Sequence, residues 1–166
     1  MTRITLMDIC DGIATTFNGM LVTLNAGTAP VAVIAHSYDE ITEGQQDTPM
    51  LQIIPTTSAV DVETATDRST FGACLRQGEY AFSVEAYPRQ RSHAGEDYEA
   101  MVRLWDAVEA VLEEQGKDCN PRTGDCTAFG IPGIKSFGWT AAAPEPFNYG
   151  GANYLGFTLT IVVRVF

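Results

Sequence analysis

Two histidines, four cysteines and a few serines are the residues of this 166-residue chain with the capacity for covalent or metal chemistry. Neither His36 nor His93 falls in an HExxH or CxxC pattern. His36, at the end of an apolar run, reads as a hydrogen-bonded structural residue, and His93, in a polar lead-in, as a solvated one. A zinc site would need Cys119 and Cys126 plus ligands from elsewhere, and their spacing is wider than that of metal-binding turns. The turn-forming Asn-Pro-Arg-Thr-Gly-Asp between them could close a local disulfide. Without a secretory signal, however, the default expectation for Cys10, Cys74, Cys119 and Cys126 is reduced thiols. Ser58, Ser69 and Ser92 have no nucleophile-elbow context. Phe129-Gly-Ile-Pro-Gly-Ile and Tyr149-Gly-Gly-Ala-Asn-Tyr lack the Lys-Ser/Thr of a phosphate-binding loop and read as turn chemistry. The paired carboxylates Glu96-Asp97 and Glu113-Glu114 are expected to face water from a helix. The expectation is therefore no enzyme, no cofactor and no metal, with a hydrolase assembled only in three dimensions as the alternative.

What the sequence does offer is surface chemistry. Between Glu96 and Glu114 stand seven acidic residues (Glu96, Asp97, Glu99, Asp106, Glu109, Glu113, Glu114) against one base, Arg103. Such a face is ordinarily just solvated, but it could also be a wall past which a polyanion slides without sticking. Glu96, Asp97, Asp106 and Glu109 are its candidate lining residues, with the loops Asp39 to Asp47 and Asp61 to Asp67 as alternatives. A second feature is an aromatic-rich segment holding Phe137, Trp139, Phe147, Tyr149, Tyr154 and Phe157. Phe147 and Tyr149 lie among prolines and glycines, where a loop would carry them, and interfaces are enriched in such residues. Trp139, Phe147, Tyr149 and Tyr154 are accordingly candidate subunit contacts. Arg89 and Arg91, just beyond a strand, are expected to meet a neighbour's carboxylates.

These groups must be positioned by a small set of elements. Leu6, Ile9, Cys10, Ile13 and Phe17 recur at helical spacing, with Thr5 and Asp8 as a capping pair and Asn18-Gly19 as the stop. Val31 to Ala35 and Met50 to Ile54 read as strands, the latter confined by Pro49 and Pro55. Asp39 to Thr48 reads as a polar loop, and Thr56 to Thr70 as a long loop that orders only against a neighbour. Glu79 to Tyr87 alternates as a half-buried strand does. Gly95 to Gln115 is the strongest helix, its apolar stripe built from Tyr98, Val102, Trp105, Val108 and Leu112 with Met101 and Val111 widening it. Ile134 to Trp139 and Leu155 to Phe166 read as strands, with Ala141 to Gly151 as breakers between them. The expected core is Ile9, Ile13, Phe17, Phe82, Val84, Val102, Trp105, Val108, Leu159 and Ile161. This order has no βαβα alternation, so the expected fold class is α+β: a mainly antiparallel sheet with two helices packed on one face.

Length, with 45% hydrophobic and 19% charged residues, bounds the chain to a single globular domain over 1–166. A formal net charge of −11 argues against nucleic-acid or anionic-membrane binding, which need clustered Lys and Arg. No apolar run spans a bilayer, and the first residues lack a signal peptide's apolar stretch. A cytoplasmic setting, or virion assembly in a host cytoplasm, is expected.

In the order of these elements the chain resembles the tail-terminator or tail-completion proteins of long-tailed bacteriophages. The resembling residues are the first helix with Ile9, Ile13 and Phe17, and Asp47-Thr-Pro-Met-Leu-Gln-Ile-Ile-Pro55. They continue with the strand Tyr80 to Tyr87 and Arg89-Gln-Arg91, the helix with Leu104-Trp-Asp-Ala, and the closing Val162-Val-Arg164-Val-Phe166. The resemblance implies a structural virion protein of the tail and neck, a homo-oligomer forming a hexameric ring. That ring caps the tail tube and joins the tail to the head. Its implied partners are the tail-tube protein and the neck or connector protein. DNA passes through without tight binding, and no membrane is involved. A head-side neck subunit, a tail-tube subunit and a small acidic cellular binding domain are the alternatives.

Overall fold

The computed structural model describes residues 4–38, 48–56, 78–117, 119–120, 126–141 and 144–165. The loops expected at Asp39 to Asp47 and between Thr56 and Thr70, Thr56 itself excepted, lie outside the described residues, as do Cys74 and Phe166.

Helix α1 (Leu6–Phe17) begins where Thr5 and Asp8 close a reciprocal cap: the Asp8 amide donates to Thr5 Oγ1 at 3.2 Å, and the Thr5 amide to Asp8 Oδ2 at 2.7 Å. The Thr5 hydroxyl also donates to Asp8 Oδ2 at 2.6 Å, and this bond first, then the Thr5 amide, holds the Asp8 carboxyl below its ordinary pKa. Ile9, Cys10, Ile13, Ala14 and Phe17 form the helix's buried face, as the spacing predicts. A short hairpin follows, β1 (Leu21–Val22) with β2 (Val31–Ala32). The strand expected at Val31 to Ala35 is thus divided, because its second half, β3 (Ile34–His36), leaves the hairpin to pair in parallel with β4 (Met50–Thr56).

The main sheet has the order β3, β4, β5 (Gly78–Tyr87), β8 (Ala152–Val165), β6 (Ile134–Ala141), and β7 (Glu145–Tyr149) also pairs with β8. Every pairing but β3 with β4 is antiparallel. Strand β4 runs through Pro55 instead of stopping before it. Among the described strands β3 pairs with β4 only from Met50 to Gln52, so Pro55, which lacks an amide proton, lies beyond that pairing. The C-terminal breakers also hide a strand. Glu145 to Tyr149 pairs with β8 up to a two-residue turn at Gly150-Gly151, both at positive φ, the backbone such tight hairpins need.

Register sets the two faces of the sheet. Ile53 pairs with Val84 and Val84 with Leu159, while Phe82 pairs with Ile161 and Ala86 with both Leu51 and Phe157. All are buried in one cluster with the inward sides of α1 and of α2 (Ala94–Lys117), so both helices cover this face. The fold is α+β with a mostly antiparallel sheet. On the reverse face the row Gln52, Glu85, Thr158 is polar. Among the described residues, no helix is long and apolar enough to cross a membrane.

Helix α2 presents a different face from the one its large side chains suggest. Ala100, Met101, Leu104, Val108 and Leu112 are buried along with Asp97, whereas Tyr98 and Val102 are 54% and 49% exposed. Trp105 is half-buried, its ring 4.9 Å from that of Phe157. Of the ten expected core residues, Val102 is therefore not core and Trp105 only borders it. The helix is turned so that small Ala100 and flexible Met101 meet the sheet, and burial of Asp97 at its start settles that rotation.

A disulfide joins Cys119 to Cys126, in place of the expected reduced pair. The two strands of chain entering and leaving the loop also form a short antiparallel bridge there, which brings the sulfurs together. Cys10 is buried and free of any disulfide.

Candidate functional site

Arg89 sits half-buried at the end of β5, and its guanidinium is consumed within its own chain. Nη1 donates to Asn25 Oδ1 at 3.0 Å and to Glu96 Oε2 at 3.2 Å, Nη2 donates to Ser92 Oγ, and Nε lies 3.7 Å from Asp97 Oδ1. Asp97 is 2% exposed and accepts the Ser92 amide on both carboxylate oxygens, at 3.2 and 3.1 Å. Arg89, expected to meet a neighbour's carboxylate, meets those of its own chain, and the placing of Asp97 on an open acidic wall is corrected by its burial. Proximity explains both: α2 starts seven residues after the strand ends at Tyr87, so the arginine reaches the first turn of its own helix, where carboxylates are favoured. Glu96 and Asp106 are exposed and Glu109 half-buried.

The same knot holds the β1–β2 hairpin. Asn25 Nδ2 donates to the Glu96 carbonyl at 2.9 Å, and the Ala26 amide donates to Glu99 Oε1 at 2.9 Å. Arg103 Nε reaches the same Glu99 oxygen at 2.9 Å. The Ala26 amide, then the Asn25 side chain and Arg103, hold the Glu99 carboxyl below its ordinary pKa. A depressed folded pKa contributes stability that is complete above the ordinary glutamate range and is lost as pH falls through the lowered value. The hairpin should therefore loosen from α2 as pH falls below the ordinary glutamate range. Replacing Arg89 with methionine is expected to cost about 2 kcal/mol in urea unfolding, because it leaves the buried Asp97 carboxylate without its cation. A loss below about 0.5 kcal/mol would show that the Ser92 amide alone suffices.

The aromatic segment divides between both faces of the sheet. Phe137 and Trp139 stack at 5.9 Å on the helix-covered face, half-buried against the main core. Tyr87, Phe147, Tyr149 and Tyr154 gather on the reverse face with Met50 and Ala152. The Tyr87 ring lies 5.2 Å from Phe147, 5.5 Å from Tyr149 and, edge-on, 5.4 Å from Tyr154. Phe147 and Tyr149 are held on a strand, not on the loop expected of them, and remain half-buried. Tyr154 is 1% exposed, so it supports this cluster from beneath and is no contact residue in the subunit as it stands. Burial, and the hydrogen bond its hydroxyl donates to Glu85 at 2.6 Å, push the Tyr87 phenol far up.

Two residues that sequence reasoning passed over organise the aromatic cluster and the Arg89 knot, one in each. A Cβ at Gly156 would lie 2.0 Å from the Ala86 carbonyl oxygen and 3.1 Å from the Phe147 ring, so glycine is what lets β7 and β8 fold against the end of β5. Asn25, between β1 and β2, is the pivot of the Arg89 knot. Arg91 is exposed, its amide donating to the Asn153 carbonyl at 2.8 Å. His93 is exposed and its carbonyl caps α2 by accepting the Asp97 amide at 2.9 Å. A shallow polar cleft between α1 and β3 is lined by Asp11, Thr15, Asn18 and Ser37, and there Ser37 donates to Asp11 at 2.6 Å. Among the described residues no group of three His, Cys, Asp or Glu side chains is placed to hold a metal ion.

Fold and surfaces together define an α+β fold with one helix-covered sheet face and a reverse face that ends in a half-buried aromatic cluster. No family model matches the chain, and no curated protein or solved structure matches it.

Proposed function

We propose that the chain is a structural, non-enzymatic virion subunit of the tail-terminator kind. In this reading it forms a hexameric ring that caps a phage tail tube and joins it to the head through a neck or connector protein. The observation that carries it is the aromatic cluster on the helix-free face. Phe147 and Tyr149 stand half-buried on a strand whose register is fixed by the Gly150-Gly151 turn. Rigid aromatics displayed in this way supply contact area at little entropic cost, which is the chemistry of a subunit interface. The exposed carboxylates of α2, Glu96 and Asp106 among them, suit a surface that repels a passing duplex. A basic lining would instead retain it through counterion release.

Electron microscopy of the purified protein, alone and with tail-tube protein, tests the proposal. Six-membered rings, or rings formed on tube tips, are the expected result, with no retardation of duplex DNA at moderate salt. A protein that stays unassembled in both conditions, or that grips DNA, would overturn it.

A further inference from the structure

The two edges of the main sheet are treated differently. At β3 the chain covers its own edge: the Asn18 side chain accepts the Ala35 amide at 3.3 Å, and Gly19 and Met20 bond the backbone of Val33 at 2.9 and 2.8 Å. At the other end, β6 pairs with β8 on one side, and no described strand pairs with its outer side beyond the single bridge of Ile134 to Cys126. Lys135, Gly138 and Thr140 are exposed along it. Among the described residues most of the outer side of this eight-residue strand is unpaired, and such an edge is a template for another strand unless charge, proline or a bulge blunts it. Strand β6 contains no proline, and its one charge, Lys135, sits in a bulge between Ile134 and Ser136, so the regular edge is Ser136 to Ala141.

The sequence of that strand says what fits. Ser136-Phe137-Gly138-Trp139-Thr140 is symmetric by class about Gly138: hydroxyl, aromatic, glycine, aromatic, hydroxyl. From this we infer that β6 pairs antiparallel with β6 of a second copy about a two-fold axis through Gly138. In that register each Phe137 faces a Trp139 on the helix-covered side, where both rings are half-buried within one subunit. Each Ser136 faces a Thr140, and Lys135 lies in the bulge outside this regular stretch, so no like charges meet within it. Cross-strand aromatic and hydroxyl pairs of this kind are the favourable ones. Charge selects the same stretch. In a chain of net charge −11, Cys126 to Pro144 contains no acidic residue, so two copies approach there with least repulsion. A two-fold contact is isologous and closes on itself. It is therefore separate from any head-to-tail contact within a ring, and it pairs free subunits or whole rings.

Cysteine cross-linking tests the axis directly. Directly opposed residues of antiparallel strands have Cα atoms about 4.5–5.5 Å apart, within the span of a disulfide. Gly138→Cys, oxidised with copper–phenanthroline, is expected to give a covalent dimer well above the level of the unsubstituted protein. Thr140→Cys is expected to give none above that level, since its symmetry mate lies about 13 Å away. Nothing lies within 4 Å of a Cβ built at Gly138, so the fold tolerates the change, and its melting temperature should match the parent's. Gly138→Lys places two ammonium groups against each other and is expected to weaken dimerisation at least tenfold by sedimentation. Equal cross-linking at both positions, or none at Gly138→Cys, would overturn the two-fold pairing. Rings that persist in Gly138→Lys would leave the ring proposal standing, and a β6 dimer without rings would leave the pairing standing.

Discussion

Gly156→Ala is expected to cost about 3 kcal/mol of stability, the upper end for overpacking a tightly filled site. The added methyl would lie 2.0 Å from the Ala86 carbonyl oxygen, a backbone atom that cannot swing away as a side chain end can. Relief requires β8 to move from β5, which undoes the Ala86 to Phe157 pairing and the seat of Phe147 together. Urea unfolding measures this as a lower midpoint at unchanged slope. Gly95→Ala, at a helical position with nothing within 4 Å, is the control and should be neutral or stabilise by about 0.5 kcal/mol. A Gly156→Ala protein as stable as its parent would mean that the two strands do not approach as closely as described.

The second large effect separates two neighbouring apolar positions on α2. Leu104→Ala should cost about 3 kcal/mol, because Leu104 is fully buried between helix and sheet and its removal leaves a cavity. Val102→Ala, at a residue 49% exposed, should change stability by less than about 0.5 kcal/mol. Comparable losses at the two positions would show the helix rotated from the orientation seen. Trp105→Ala should fall between them, since its ring covers Phe157 yet remains half-buried.

Where local rules are strong, the chain's own order of residues was a sufficient guide. The capped first helix, the alternating strand ending at Tyr87, the long second helix and the closing strand all follow from periodicity, capping and proline placement. Their sum, an α+β fold with both helices on one sheet face, needed no tertiary knowledge. Each of those signals is carried by residues within one or two turns of one another.

The rest depends on residues far apart in sequence. That Asp97 turns inward while Tyr98 turns out was decided by Arg89 and Ser92 at the helix entrance, and Asn25 joined them from a hairpin 64 residues away from Arg89. The strand at Glu145 to Tyr149 looked like a run of breakers, because prolines and glycines weaken local propensity. Pairing with β8 supplies the hydrogen bonds that propensity could not, and the close approach at Gly156 brings Phe147 and Tyr149 onto the face of Tyr87. Whether an aromatic residue is core or contact is likewise a property of the sheet. Tyr154 is sealed beneath the cluster and Trp139 lies on the last described strand of the sheet, a difference set by which strand pairs on each side. Composition and spacing determined which elements form, and pairing between distant strands determined which side chains those elements leave at the surface.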